Sequence, residues 1–417
     1  MVGDRSARQA VEAALSAVEQ REPVVRAWAH LDPARARREA DRVDGRGPAP
    51  LRGTVLGVKD VFDTGDQPTE YGSPIFAGHR PRADASAVAL LRQAGAVCLG
   101  KTVTAELATF HPGPTTNPHR ATHTPGGSSM GSAAAVAAGM ADVALGTQTA
   151  GSVTRPASFC GVYGFKPTFG TVSVAGLKLV APSLDTVGWF ARDPRLLDAV
   201  RVCLTGRPQA PADRSPPRLG VLRTEQWDAC ADDGRRAVEA LAGRAADAGA
   251  KVFDSALPES LSGLADRHPV VMGYEAARSL AWERSQGAAL SDELRDLLDQ
   301  GASVDPSEYD RVRRRAAAAT GPDRLDELFG DADALVTPAV VGEAPEGLDS
   351  TGDPRFARLW TLLGLPVVTV PVTTGSRGLP VGAQLVGRPG DDGRLLAIAR
   401  WAGALRPGDE VDGAGAT

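Results

Sequence analysis

The sequence predicts an α/β fold, and three observations carry that reading. Between residues 53 and 190, short apolar runs at 54–58, 96–99 and 143–145 alternate with helical stretches at 84–93 and 133–138. Strands that alternate with helices build a sheet covered by helices. Residues 232–330 then read as mostly helical, and buried strands return at 334–337, 367–371 and 382–386. No internal repeat and no clear linker is visible, so one domain over 1–417 is expected.

The elements follow in order. Residues 6–20 place Val11, Ala14, Leu15 and Val18 at helical spacing. Asp32-Pro33 pairs an N-cap acid with a proline at the first helical position, which starts a second helix. These N-terminal helices, about 5–45, are expected outside a catalytic core at about 50–200. There, the run 54–58 delivers Lys59 at a strand end, and Asp84 is expected to cap the helix that ends near Gln93. A Gly/Ser loop at 126–132 leads into a helix of small residues, which lets neighbouring backbone approach closely. The strand at 143–145 runs into a second loop, 146–152. The helical region at about 230–330 is expected to shape the substrate pocket. Strands and a helix at 395–404 close the fold within about 333–405, and the tail from Pro407 is polar.

Composition excludes several classes. The chain is 42% hydrophobic and 23% charged, as ordinary globular proteins are. A net charge of −5 gives no basic footprint for a nucleic-acid partner. The N-terminal MVGDRSARQ lacks the apolar segment of a signal peptide. The most apolar stretch, 133–145, contains Asp142 and is too short to span a bilayer. A cytoplasmic protein with no membrane partner is the expectation, with self-association as a homodimer left open. Cys98, Cys160, Cys203 and Cys230 lie far apart without a CxxC pair, and are expected as free thiols. His111, His119 and His123 do not form an HExxH helix, so no metal is expected. Only five of the 46 basic side chains are Lys, which draws attention to Lys59. An amine can act as a neutral base where Arg cannot.

Chemistry concentrates in two loops, PGGSSMGS at 125–132 and GTQTAGSVTRP at 146–156. Neither is a nucleotide-binding loop, since no GxxxxGK[ST] or GxGxxG is present. They are separated by one helix and one strand, a length that can return the chain to the same sheet edge and bring the two loops' serines together.

With GVKD at 57–60 and GFKPT at 164–168, these segments resemble the amidase signature family. The C-terminal LVTP at 335–338, TGDP at 351–354, WTLLGLP at 360–366 and LPVGAQLVG at 379–387 extend the resemblance over roughly 5–405. It implies one α/β/α domain: a large mixed central sheet covered by helices on both faces. It implies an amidohydrolase in which Ser152 is the nucleophile, Ser128 bridges after a cis peptide bond, and Lys59 is the base. The oxyanion hole would be formed by N–H groups of Thr149, Ala150, Gly151 and Ser152. No cofactor is implied, and the partner is a small-molecule amide. Two other readings stay open: the glutamine-hydrolysing component of an amidotransferase, and a catalytically silent binding protein on the same scaffold.

The chemistry suits these residues. A serine hydroxyl attacks well only when a base takes its proton. Lysine must fall from about 10.4 to about 7, worth about 4 kcal/mol, and burial can do that. Asp60 would oppose the fall if it were close, and strand alternation should turn it away. Lys101 and Lys166 are read as structural. The family commonly has Arg where Thr154 stands, Gly where Ala150 stands and Asp where Gln148 stands. Arg155, three residues after the nucleophile, could clamp a substrate carboxylate or serve a structural ion pair. Ser129 and Trp360 are further candidates for lining the substrate pocket.

Overall fold

A computed structural model describes residues 5–209 and 215–405, so the tail from Pro407 lies outside the described residues. Eleven strands form one mixed sheet: β1 Trp28–Leu31, β2 Val55–Lys59, β3 Val97–Thr102, β4 Val143–Gln148, β5 Tyr163–Lys166, β6 Thr186–Ala191, β7 Arg218–Leu222, β8 Lys251–Ser255, β9 Ala334–Pro338, β10 Val367–Thr374 and β11 Pro380–Val386. Their order is β1-β3-β2-β4-β6-β5-β10-β11-β9-β7-β8. β3, β2 and β4 run parallel. β7 runs parallel to both β8 and β9, and the central pairings are antiparallel.

Side-chain alternation shows that both faces are covered. Leu56, Cys98, Val143, Leu145 and Trp189 join one buried cluster, while their neighbours Val55, Val97, Leu99, Ala144 and Phe190 join another. A period of two puts adjacent residues on opposite faces. The second cluster is roofed by the N-terminal helices and by Met130–Ala137, whose run of alanines brings it close to the sheet. The fold is the α/β layering that the sequence predicts.

Local chemistry explains the helix ends. Ser6 and Gln9 form a reciprocal capping box for Ala7–Val25. The Asp32 carboxylate accepts the Arg35 N–H at 2.9 Å and caps Pro33–Asp44. Two expectations are corrected. Asp84 does not cap Ser86–Gln93; it accepts the Gly65 N–H and pairs with Arg92, so it ties two segments together instead. The Gly/Ser loop also ends sooner than expected, with the helix beginning at Met130.

The strands β1, β5, β6, β7 and β8 are not among those that the sequence predicts. In the helical region, Gly301 faces Gly273, where any side chain at Gly301 would strike the Gly273 backbone. The helices His268–Ser279 and Asp292–Ser303 therefore cross closely.

Candidate active site

Lys59 ends β2, and the register places Val58 opposite Leu145, so Lys59 falls beside the last residues of the parallel strand β4. This is the C-terminal edge of parallel strands, where α/β sheets present their sites. Its ammonium group is fully buried and donates to Ser128 Oγ at 2.9 Å and to Thr147 Oγ1 at 2.7 Å. Burial pushes its pKa down to about 7, with only Asp185 opposing. Asp60 turns away, as expected, and pairs with the buried Lys101 at 2.9 Å. Lys166 donates to the Pro167 carbonyl at 2.8 Å.

Ser128 follows a cis peptide bond from Gly127. The bend before it uses Gly126 at φ 79°, packed against Pro156. The Ala105 N–H holds the Ser128 carbonyl at 3.1 Å. Arg155 Nη2 donates to the Gly127 carbonyl at 2.7 Å and to Thr351 Oγ1 at 3.1 Å. Both sides of that peptide are therefore anchored.

Ser152 lies in the turn between β4 and the helix Thr154–Cys160, and keeps 7% of its surface exposed. Among the described residues, no hydrogen bond joins its hydroxyl to Ser128 or to any other protein group. The loop before it is fastened by its carbonyls. His268 Nε2 donates to the Thr149 carbonyl at 2.8 Å, Thr361 Oγ1 to that of Ala150 at 2.8 Å, and the Arg155 N–H to that of Gly151 at 3.0 Å. The N–H groups of Thr149, Ala150, Gly151 and Ser152 have no acceptor among the described residues. Four consecutive free donors beside a serine hydroxyl can hold a developing oxyanion.

Several supports escaped sequence reasoning. The Gln148 carboxamide accepts the Val153 and Thr154 N–H groups at 2.9 and 3.0 Å and donates to Thr361 at 3.0 Å. The Asp185 carboxylate accepts the Thr149 hydroxyl at 2.5 Å and two backbone N–H groups, and burial raises its pKa to about 6. Burial pushes His268 down to about 4, so its ring is neutral. Gln148 and Thr147 lie inside a motif that the sequence already marks. Asp185 and His268 are remote in sequence and carry no local signal.

Beside the loop lies a cavity of about 350 Å3, walled by Ala150, His268, Met272, Leu297, Pro354 and Arg358 among others. Two candidates for its lining are corrected. Ser129 is fully buried, accepting the Thr147 N–H and donating to its carbonyl, both at 3.2 Å. Trp360 is fully buried and lines a separate small pocket with Leu257 and Leu261 rather than this cavity. The three neighbouring histidines serve separate partners: His111 faces Glu293, His119 the Cys160 carbonyl and His123 the Thr122 hydroxyl.

A sheet of this topology, with a buried amine, two loop serines and a row of free N–H groups, defines a serine-based amide hydrolase. The profile of the Amidase family matches residues 9–396, and the chain belongs to that family. It is 34% identical to the A component of the glutamyl-tRNA(Gln) amidotransferase of Chloroflexus aurantiacus, over 95% of this chain and 92% of that protein. A crystal structure of an amidase superimposes with a TM-score of 0.87 at 30% identity, covering 96% of each chain. The peptide amidase of Stenotrophomonas maltophilia superimposes with a TM-score of 0.80 at 30% identity, over 96% of this chain and 94% of that one. Among the described residues no helix is long and apolar enough to cross a membrane.

Proposed function

We propose that the chain hydrolyses a small, linear, non-peptide carboxamide through an acyl-enzyme on Ser152. The observation that carries this reading is the 2.9 Å contact between a fully buried Lys59 Nζ and Ser128 Oγ. Lys59, neutral above about pH 7, takes the Ser128 proton as Ser128 takes that of Ser152. Ser152 Oγ bonds to the amide carbon, and the carbonyl electron pair moves onto oxygen, held by the loop N–H groups. Ser128 returns a proton to the leaving nitrogen as the C–N bond breaks. Water then enters by the same relay, the ester C–O bond breaks, and the carboxylic acid departs with Ser152 reprotonated.

Arg155 keeps two buried donors, Nε and Nη1, without a partner. They support a substrate carboxylate as their acceptor, since buried donors are costly to leave unmade. Glutamine is the competing substrate, because the amidotransferase component matches so much of the chain. The cavity lining holds no carboxylate to receive its ammonium group, which favours the simple amide. The test is a fluorophosphonate probe together with a panel of aliphatic, aryl, ureide and dicarboxylic monoamides. Labelling at Ser152 is expected, with turnover of an amide by the chain alone. A chain that neither labels nor turns over any amide returns the reading to a silent binding protein.

A further inference from the structure

We infer that Arg358 selects an anionic substrate, an amide carrying a carboxylate, at the cavity beside the oxyanion loop. The inference rests on the amidase reading above and narrows it to a substrate class.

The placement comes first. Pro354 and Ala357 pack against the Gly151 backbone, at the start of the helix Arg355–Leu362. Arg358 follows Pro354 by four residues, one helical turn on, and both line the cavity that Ala150 also lines. A group bound there is held next to the loop that carries the reaction.

Charge comes second. Arg358 is partly buried, and among the described residues no hydrogen bond or ion pair reaches its guanidinium. Asp353 feels its charge, but that carboxylate is already bound by Arg355, through the backbone N–H at 2.9 Å and Nε at 2.6 Å. Among the described residues that line the cavity, Arg358 is the one with a charged side chain, since His268 is neutral. Its charge is also felt by the buried Arg155 guanidinium. A partly desolvated cation without a bonded counter-ion is costly, and a ligand carboxylate relieves that cost.

Shape comes third. Val270, Met272, Leu297 and Val304 give apolar walls, so the remainder of the ligand is hydrocarbon rather than polar. A volume of about 350 Å3 suits a small molecule. The class is therefore a dicarboxylic acid monoamide with no ammonium group.

The experiment compares equal skeletons. Malonic, succinic, glutaric and adipic monoamides are assayed against neutral amides of matching length, with glutamine against glutaric monoamide as the ammonium control. The wild type should favour its best acid over the matching neutral amide by about tenfold or more in kcat/KM, and glutamine should be poorest. In Arg358→Met that acid-to-neutral ratio should fall by about 10- to 100-fold, as loss of a charge-assisted pair implies. Arg358→Lys should keep part of the preference. Competition of the free diacids against neutral-amide hydrolysis by the wild type gives a measurement that needs no variant to fold. No acid preference in the wild type, an unchanged ratio in Arg358→Met, or failure of every diacid to compete overturns the inference. Neutral amides would still turn over and Ser152 would still label in those cases, whereas loss of both overturns the amidase reading as well.

Discussion

Gln148 and Thr361 form a strut behind the loop that carries Ser152: Gln148 Nε2 donates to Thr361 Oγ1 at 3.0 Å, and that hydroxyl donates onward to the Ala150 carbonyl at 2.8 Å. The other end of the carboxamide accepts the first N–H groups of the helix that follows Ser152. One neutral side chain thus fixes both flanks of the loop 149–152. It needs a donor and an acceptor together, which only an amide supplies here.

Gln148→Glu removes the donor and buries a charge where the side chain is fully enclosed. A misplaced oxyanion donor costs about 2 kcal/mol or more in the transition state. We expect kcat to fall at least about tenfold with KM little changed. Steady-state kinetics on one amide checks it, and a kcat within twofold of the wild type would remove Gln148 from the positioning of the loop.

Ser152→Ala should separate chemistry from stability. The hydroxyl has no hydrogen bond within the described protein, so its loss should cost under about 0.5 kcal/mol. Turnover should drop by about a million-fold, as removal of other serine nucleophiles does. Thermal melting and a sensitive ammonia assay read the two effects. Activity within tenfold of the wild type would refute the nucleophile assignment.

The parts of this site legible in the sequence are those that the chain holds close together. Ser128, Ser152 and the loop 149–152 lie in two adjacent motifs, and Lys59 ends an apolar run that reads as a buried strand. What stayed hidden depends on pairing across the sheet. Thr147 becomes a partner of Lys59 only because β2 lies beside β4. Asp185 and His268 reach the loop from distant elements, and nothing local marks them. The strands β5 and β6 have continuous burial, so neither shows the alternation by which a half-exposed strand is recognised. The Asp84 cap misled because an acid before a helix can bind a loop amide as easily as the helix end.

Arg155 is expected to act twice. Its Nη2 holds the Gly127 carbonyl, so Arg155→Ala should slow every amide, by about tenfold from one lost charge-assisted bond. Its two unpartnered donors add a second loss for acids alone, about a further 10-fold or more. A panel of acidic and neutral amides resolves the two components. Equal losses across the panel would leave only the anchoring of Gly127.

Lys59 is expected to set the pH behaviour, in activity and in stability by separate routes. Activity needs the free amine, so kcat/KM should rise with pH through a midpoint near 7 and then level off. A midpoint near the ordinary lysine value of about 10.4 would show that burial does not tune it. Lys59→Arg should not restore activity, because a guanidinium stays protonated throughout. Stability follows from the same depressed value. Below about pH 7 both folded and unfolded chains carry the proton, and the whole cost of burying the charge is present. Between about 7 and 10.4 the unfolded chain keeps the proton and the folded chain does not, so folding releases a proton and becomes easier as pH rises. The sign is fixed by proton count: the unfolded chain binds more protons in that window, so this group's contribution to stability rises with pH. Lys59→Met carries no such cost and should melt above the wild type at pH 6. The gap should narrow steadily from pH 7 upward. Melting curves of both proteins from pH 6 to 9 measure it, and a gap that stayed constant over that range would mean that the buried amine is held charged in the folded chain.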